Sequence, residues 1–172
     1  MIWRDDDIGA DTRIATLEAV DDLFQRYGLP HTIAVIAKDL DTRPDLIEFI
    51  RERRMVVQLH CWDHDDLTVD ATARSDLARA VDLIECHLTR PTVLYPPWNR
   101  STPAVEAIAA ELGLTVSHRK VSLSQYIRAG GDVEEDTVNF HFWYPPEFPQ
   151  LEQALEIATR EPADDQDAAR TD

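Results

Sequence analysis

Residues 31–38, His-Thr-Ile-Ala-Val-Ile-Ala-Lys, form a nearly continuous apolar run between Pro30 and Asp39. A strand with one wet face alternates polar and apolar side chains, whereas a run like this one is covered on both faces. The chain is thereby pushed toward a sheet with helices packed on it. Short β-branched or apolar runs recur at 2–4, 56–59, 92–95 and 114–117, and residues 137–143 alternate as a strand. Between them lie segments with apolar residues at helical spacing. In 12–27 these are Ile14, Leu17, Val20, Leu23 and Phe24, with Gly28 as the stop signal. Segments 43–54, 75–88, 103–112 and 151–159 read the same way. Residues 122–131 stay ambiguous, with Gly130-Gly131 marking a turn. Strand and helix in alternation predict a parallel sheet layered with helices.

The 172 residues, 44% of them hydrophobic, are enough for one globular domain, expected over 1–160. Residues 161–172 are acidic and almost free of large apolar side chains, the composition of a disordered tail. The formal net charge is -16, with 33 acidic residues against 17 basic ones, and only Lys38 and Lys120 are lysine. Such a surface repels phosphate backbones and anionic lipid, so neither nucleic acid nor membrane is an expected partner. It also suits a high-salt cytoplasm. Cys61 and Cys86 fall in no Cys-x-x-Cys pair, and neither a basic-apolar leader nor a run of about 20 apolar residues is apparent. The expectation is a cytoplasmic chain without disulfides.

Chemistry-bearing residues gather where the strands end. The run 56–59 delivers His60 and then His64, which can share one metal ion if the chain turns helically after the strand. Cys61 stands where a zinc protease would carry its glutamate, so that reading fails. A solvated histidine pair, or Cys61 itself as a ligand, are the alternatives. The first strand runs into Asp5-Asp6-Asp7, three carboxylates that repel one another unless a cation or Arg4 neutralises them. A cap for the helix beginning near Asp11 or Thr12 is the competing explanation. Residues 95–99, Tyr-Pro-Pro-Trp-Asn, make a stiff turn whose next free amide belongs to Trp98. His141 lies near the end of the last strand. In parallel sheets ligands collect at the carboxyl ends of strands, where Asp6, Asp7, His60, His64, Pro97, Trp98 and His141 all fall. One carboxylate and two imidazoles leave a metal open coordination, a second carboxylate can take a proton, and a further histidine can return one. The Trp98 amide can face an oxyanion. Metal-assisted hydrolysis of an amide or ester uses all of these parts.

On these residues the chain resembles the polysaccharide deacetylases of the NodB-homology class, carbohydrate esterase family 4, from Ile2 to about Trp143. Asp5-Asp6-Asp7-Ile8-Gly9 is similar to the first family motif, with Asp6 matching the catalytic base and Asp7 the metal ligand. His60-Cys61-Trp62-Asp63-His64 is similar to the second, whose two histidines complete the metal triad. Tyr95-Pro96-Pro97-Trp98-Asn99 stands where the family has Arg-Pro-Pro-Tyr-Gly, and Phe140-His141 where it has the acid histidine. The resemblance implies a distorted (β/α) barrel with fewer than eight parallel strands and one divalent ion, zinc by preference. It implies removal of an acetyl or formyl group from an N-acylated amino sugar or small glycoconjugate, with Asp6, His141 and Trp98 as catalytic groups. Trp62, Trp98 and Trp143 are expected to line a sugar-stacking groove. Tyr95 replaces the arginine that orients the base, a task left to Arg4 or Arg119. The Arg-x-Trp-x-x-Asp pattern that tunes the acid has no clear counterpart. A non-catalytic carbohydrate-binding or metal-stabilised structural protein is the other reading.

Overall fold

A computed structural model describes residues 1–69, 71–144 and 147–160; the expected tail at 161–172 lies outside them. Seven parallel strands form one sheet: β1 (Ile2–Ile8), β2 (Thr32–Ile36), β3 (Val56–Cys61), β4 (Val93–Leu94), β5 (Thr115–Val116), β6 (Val121–Ser122) and β7 (Thr137–Phe140). Their spatial order is β5-β4-β3-β2-β1-β7-β6, so β1 lies near the middle with β2 and β7 beside it. Among the described residues six α-helices accompany them: α1 (Ile14–Tyr27), α2 (Pro44–Arg53), α3 (Ala73–His87), α4 (Pro103–Glu111), α5 (Leu123–Arg128) and α6 (Phe148–Ala158). This curled, incomplete ring of parallel strands with outer helices is the distorted (β/α) barrel expected from the sequence. Among the described residues no helix is long and apolar enough to cross a membrane.

The apolar run at 31–38 behaves as its composition dictates, since Thr32, Ile33, Ala34 and Val35 are all buried in β2. Helix α1 ends at Gly28, whose left-handed backbone (φ 66°) lets its amide reach the carbonyls of Gln25 and Phe24. The ambiguous stretch after 121 resolves into β6 and α5. Ser122 caps the Gln125 amide while the Gln125 side chain returns to the Ser122 amide, a capping box that the Ser-x-x-Gln spacing carries in the sequence. Strand β7 is shorter than its alternation suggests. It stops at Phe140 because the next amides turn to carboxylates, His141 to Glu147 and Phe142 to Asp5.

Strand β1 is longer than expected and carries the whole aspartate triplet. Helix α1 starts later, with Arg13 at its cap position and no side-chain cap, so the triplet is no helix cap. Along β1 the pleat sends alternate side chains to opposite faces. Trp3 and Asp5 face the helices, where Trp3 meets Phe24 and Tyr126 edge-on. Arg4 and Asp6 face the other side, bonded to each other.

On the helix side Asp5 and Asp21 flank the buried ring of His31, at 3.3 Å from Nε2 and 3.1 Å from Nδ1. Phe24 stacks on that ring with centroids 4.5 Å apart. Burial drives the Asp5 carboxyl up to about 6, with the His31 bond working against it. Burial alone would lower His31, but its bonds to Asp21 and Asp5 outweigh that and raise it. Both shifts have one sign. The folded chain keeps protons that the unfolded chain gives up, so this stability is complete below the unfolded values, 3.8 and 6.5, and fades as pH climbs through the folded ones. Chelator-treated protein should therefore unfold at lower urea at about pH 8 than at about pH 5. His31→Leu, which removes the imidazole between Asp5 and Asp21 and leaves them only the Phe142 amide and Arg53, should cost roughly 3–5 kcal/mol in the same assay.

Candidate metal centre and active site

Regular alternation would send Asp7 back to the helix side with Asp5. Instead the pairing of β1 with β2 shifts register between Asp5 and Ile8, and Asp7 takes a left-handed backbone, φ 68°. The irregularity turns the Asp7 carboxylate toward β3. A left-handed non-glycine residue is uncommon, and aspartate is among the few that tolerate it. Gly9 follows where the chain crosses β2 closely; a Cβ there would lie 3.2 Å from the Ile36 Cβ.

His60 stands in β3, but His64 does not reach it through a helical turn. The chain bends after Cys61, His64 itself is left-handed (φ 57°), and its amide donates to the Cys61 sulfur at 2.9 Å. Cys61 is thus a buried anchor for the bend, and burial raises its thiol pKa. The two imidazole centroids lie 5.0 Å apart, and both Nε2 atoms point at Asp7 Oδ1, at 3.2 Å for His60 and 3.1 Å for His64. Nδ1 of His60 lies 2.6 Å from the Tyr95 carbonyl; a proton donated there leaves Nε2 with its lone pair toward the cluster. The Trp143 indole N–H donates to the other Asp7 oxygen at 3.2 Å, and Trp98 sets its ring edge-on to His64 at 4.8 Å.

The donor set fits a divalent ion. Ligands at about 2.0–2.1 Å from a tetrahedral zinc stand roughly 3.3 Å apart, close to the spacing of these atoms. Burial raises the Asp7 carboxyl, yet the bonds from His60 and His64 prevail and hold it well below the carboxylate range. Asp7, His60 and His64 are the group of side chains able to share an ion among the described residues.

Asp6 lies beside this cluster, 4% exposed. Its Oδ2 accepts from Arg4 Nη2 and from Asn139 Nδ2, each at 2.7 Å, while buried Oδ1 has no partner among the described residues. Arg4 in turn lies 4.4 Å from the centre of the Tyr95 ring. Of the two candidates for the missing arginine, Arg4 holds Asp6 and Arg119 is exposed. A cavity of about 380 Å³ is lined by Asp6, Asp7, His60, His64, Trp98 and His141, among others. It adjoins a larger cleft of about 650 Å³ that carries Asp11, Asp39 and Asp63. Burial would lower His141, but Glu147, whose Oε2 lies 3.8 Å from Nδ1, and the charges of Asp6 and Asp7 raise it.

All the residues singled out for chemistry meet here, and one expectation needs correction. Trp62 does not line the groove. It packs on the outer side, with the Arg79 guanidinium 4.0 Å from its ring centre, whereas Trp98 and Trp143 are more than half exposed at the site. Asn139 and Glu147 went unrecognised in the sequence. Asn139 could have been found as the polar residue two positions before His141, on the same face of the alternating strand; Glu147 carries no local signal.

The polysaccharide deacetylase family matches residues 6–117, a span that includes Asp6, Asp7, His60, His64 and Trp98 and ends before His141. Among curated proteins none matches. Among solved structures, a family 4 carbohydrate esterase from Streptomyces lividans in complex with acetate superposes with a TM-score of 0.75 at 15% identity, covering 91% of this chain and 86% of that one. Peptidoglycan deacetylase PdaC from Bacillus subtilis gives 0.68 at 19%, over 91% and 79%. A CE4 family pseudoenzyme from Bacillus anthracis gives 0.71 at 14%, and this chain spans 59% of its length. At these identities the likeness is one of fold.

Zinc retained through gel filtration should be lost in His60→Ala and in His64→Ala and kept in His141→Ala, as read by elemental analysis. Because the Asp7 bond raises the pKa of His64 and a ligating imidazole must be unprotonated, zinc affinity should fall as pH drops through that raised value.

Proposed function

The chain belongs to the polysaccharide deacetylase family, and we propose that it is a metal-dependent hydrolase that removes an acetyl or formyl group from an N-acylated amino sugar or small glycoconjugate. The observation that carries this reading is the division of labour at Asp6. One oxygen is tied by Arg4 and Asn139, and the other is buried, unpartnered and beside the Asp7–His60–His64 cluster. A structural carboxylate would satisfy both oxygens. A general base needs one left free.

A divalent ion held by Asp7, His60 and His64, zinc by preference for two imidazoles and a carboxylate, would supply Lewis acidity for the carbonyl and for water. The remaining work falls to the chain. Asp6 Oδ1 takes the proton of the attacking water. His141, whose pKa is raised by Glu147 and by the charges of Asp6 and Asp7, gives a proton to the departing nitrogen. The Trp98 amide, presented by the turn after Pro96 and Pro97, donates to the oxyanion. Trp98 and Trp143 offer exposed faces to a sugar ring. In the adjoining cleft Lys38 offsets Asp63, and Asp11 and Asp39 leave an acidic lining that disfavours an anionic polymer and accepts a neutral or amine-bearing one.

The non-catalytic reading drew its support from Tyr95 in place of the family arginine. With Arg4 on Asp6, that support weakens. Zinc-loaded protein incubated with N-acetyl and N-formyl glucosamine and their short oligomers should release acetate or formate. Asp6→Asn and His141→Ala should each lower kcat by about 10²–10⁴-fold while retaining zinc. Ligand binding without any acyl release across the panel would establish the non-catalytic reading instead.

A further inference from the structure

Lys120 precedes β6 and lines the same cavity as Asp6, His60, His64 and His141. It is one of two lysines in the chain, and its situation differs from that of the other. Lys38 forms an exposed ion pair with Asp63 at 2.5 Å. Lys120 is half-buried and forms no ion pair with a carboxylate among the described residues; its Nζ donates instead to Oδ1 of Asn139 at 3.2 Å. Asn139 is 8% exposed and lies directly across from Arg4 in the β1–β7 register, with its Nδ2 on Asp6 Oδ2.

An asparagine amide has one accepting and one donating end of nearly the same shape, so its neighbours must choose and hold its orientation. Here the two neighbours agree. An ammonium can only donate and takes the oxygen; an ionised carboxylate can only accept and takes the NH₂. We propose that Lys120 is a positioning residue for Asp6, acting through Asn139. Without the lysine, Oδ1 of Asn139 keeps no donor among the described residues, and the amide is held from one side only. Its NH₂ already lies within 3.5 Å of the Phe140 carbonyl, an alternative acceptor that draws it away from Asp6. Asp6 Oδ2 would then be held by Arg4 alone, and the carboxylate would be free to rotate out of its place beside the Asp7–His60–His64 cluster. Lys120 and Asn139 both lie beyond the matched family span, in the part of the chain where the tuning motif is missing.

The kinetic side of this inference rests on Asp6 being the base, so the test has two arms. In the first, the side-chain amide pair of Asn139 is followed by ¹⁵N–¹H NMR in zinc-loaded protein, identified by its absence in Asn139→Leu. The pair should be well dispersed in the wild type and in Lys120→Arg, and should collapse toward free-amide shifts in Lys120→Met. An unchanged pair in Lys120→Met overturns the proposal. In the second arm, Lys120→Met should lower kcat about tenfold at constant KM, Lys120→Arg should restore most of it, and Lys120→Met should add nothing in an Asn139→Leu background. Additive losses, or a loss confined to KM, would place Lys120 on the substrate itself and overturn it. If no acylated sugar is hydrolysed by the wild type, the hydrolase reading falls while the amide signal still decides the role of Lys120.

Discussion

The site depends on Asp7 leaving the pleat of β1. Two adjacent carboxylates on a regular strand point to opposite faces and cannot serve one centre. The register shift and the left-handed backbone at Asp7 bring its side chain round to His60 and His64 while Asp6 stays in line with Arg4. Such strain persists only where surrounding structure fixes it. Here the Trp143 indole holds the outer Asp7 oxygen, and the Gly9 amide is tied to the Thr12 hydroxyl at 2.9 Å.

The same pleat explains how the chain manages without an arginine at position 95. Residues i and i+2 of a strand share a face, so Arg4 and Asp6 are set side by side by local geometry rather than by packing between separate loops. Tyr95 then has a different task. Its ring lies against the guanidinium, and its carbonyl fixes the His60 ring. The buried guanidinium bonds Asp6 through Nη2 and lies over the Tyr95 ring, while its Nε and Nη1 have no partner among the described residues. The departure from the family pattern is therefore matched by a cation, Arg4, on the same strand as Asp6.

Much of this was legible in the sequence, for identifiable reasons. The apolar run in β2 and the helical spacing in α1 reported burial directly, and the ends of the strands indicated where Asp6, Asp7, His60, His64, Trp98 and His141 would gather. Positions that depend on backbone irregularity were not legible. The bend that joins His60 to His64 rests on a left-handed His64 and a sulfur acceptor, neither of which leaves a periodic trace. Trp62 has the composition of a stacking residue, yet Arg79, from α3, covers it on the outer side. Asn139 and Glu147 act through contacts across the sheet and across the turn after β7, which spacing alone does not report.

Asp5 shows how a residue facing away from the site can still govern it. Its Oδ2 belongs to the buried His31 and Asp21 network on the helix side, while its Oδ1 accepts the Phe142 amide at 2.7 Å. The next amide back, that of His141, is held by Glu147 at 2.8 Å. The two bonds end β7 after Phe140 and fix the backbone on either side of the His141 side chain, so its position is set by two carboxylates, Asp5 and Glu147. The three aspartates are thereby separated in surroundings though adjacent in sequence: Asp7 faces His60 and His64, Asp6 faces Arg4 and Asn139, and Asp5 faces His31 and the Phe142 amide. Repulsion among them is relieved by giving each its own cation or imidazole, His31 for Asp5, Arg4 for Asp6, and His60 with His64 for Asp7.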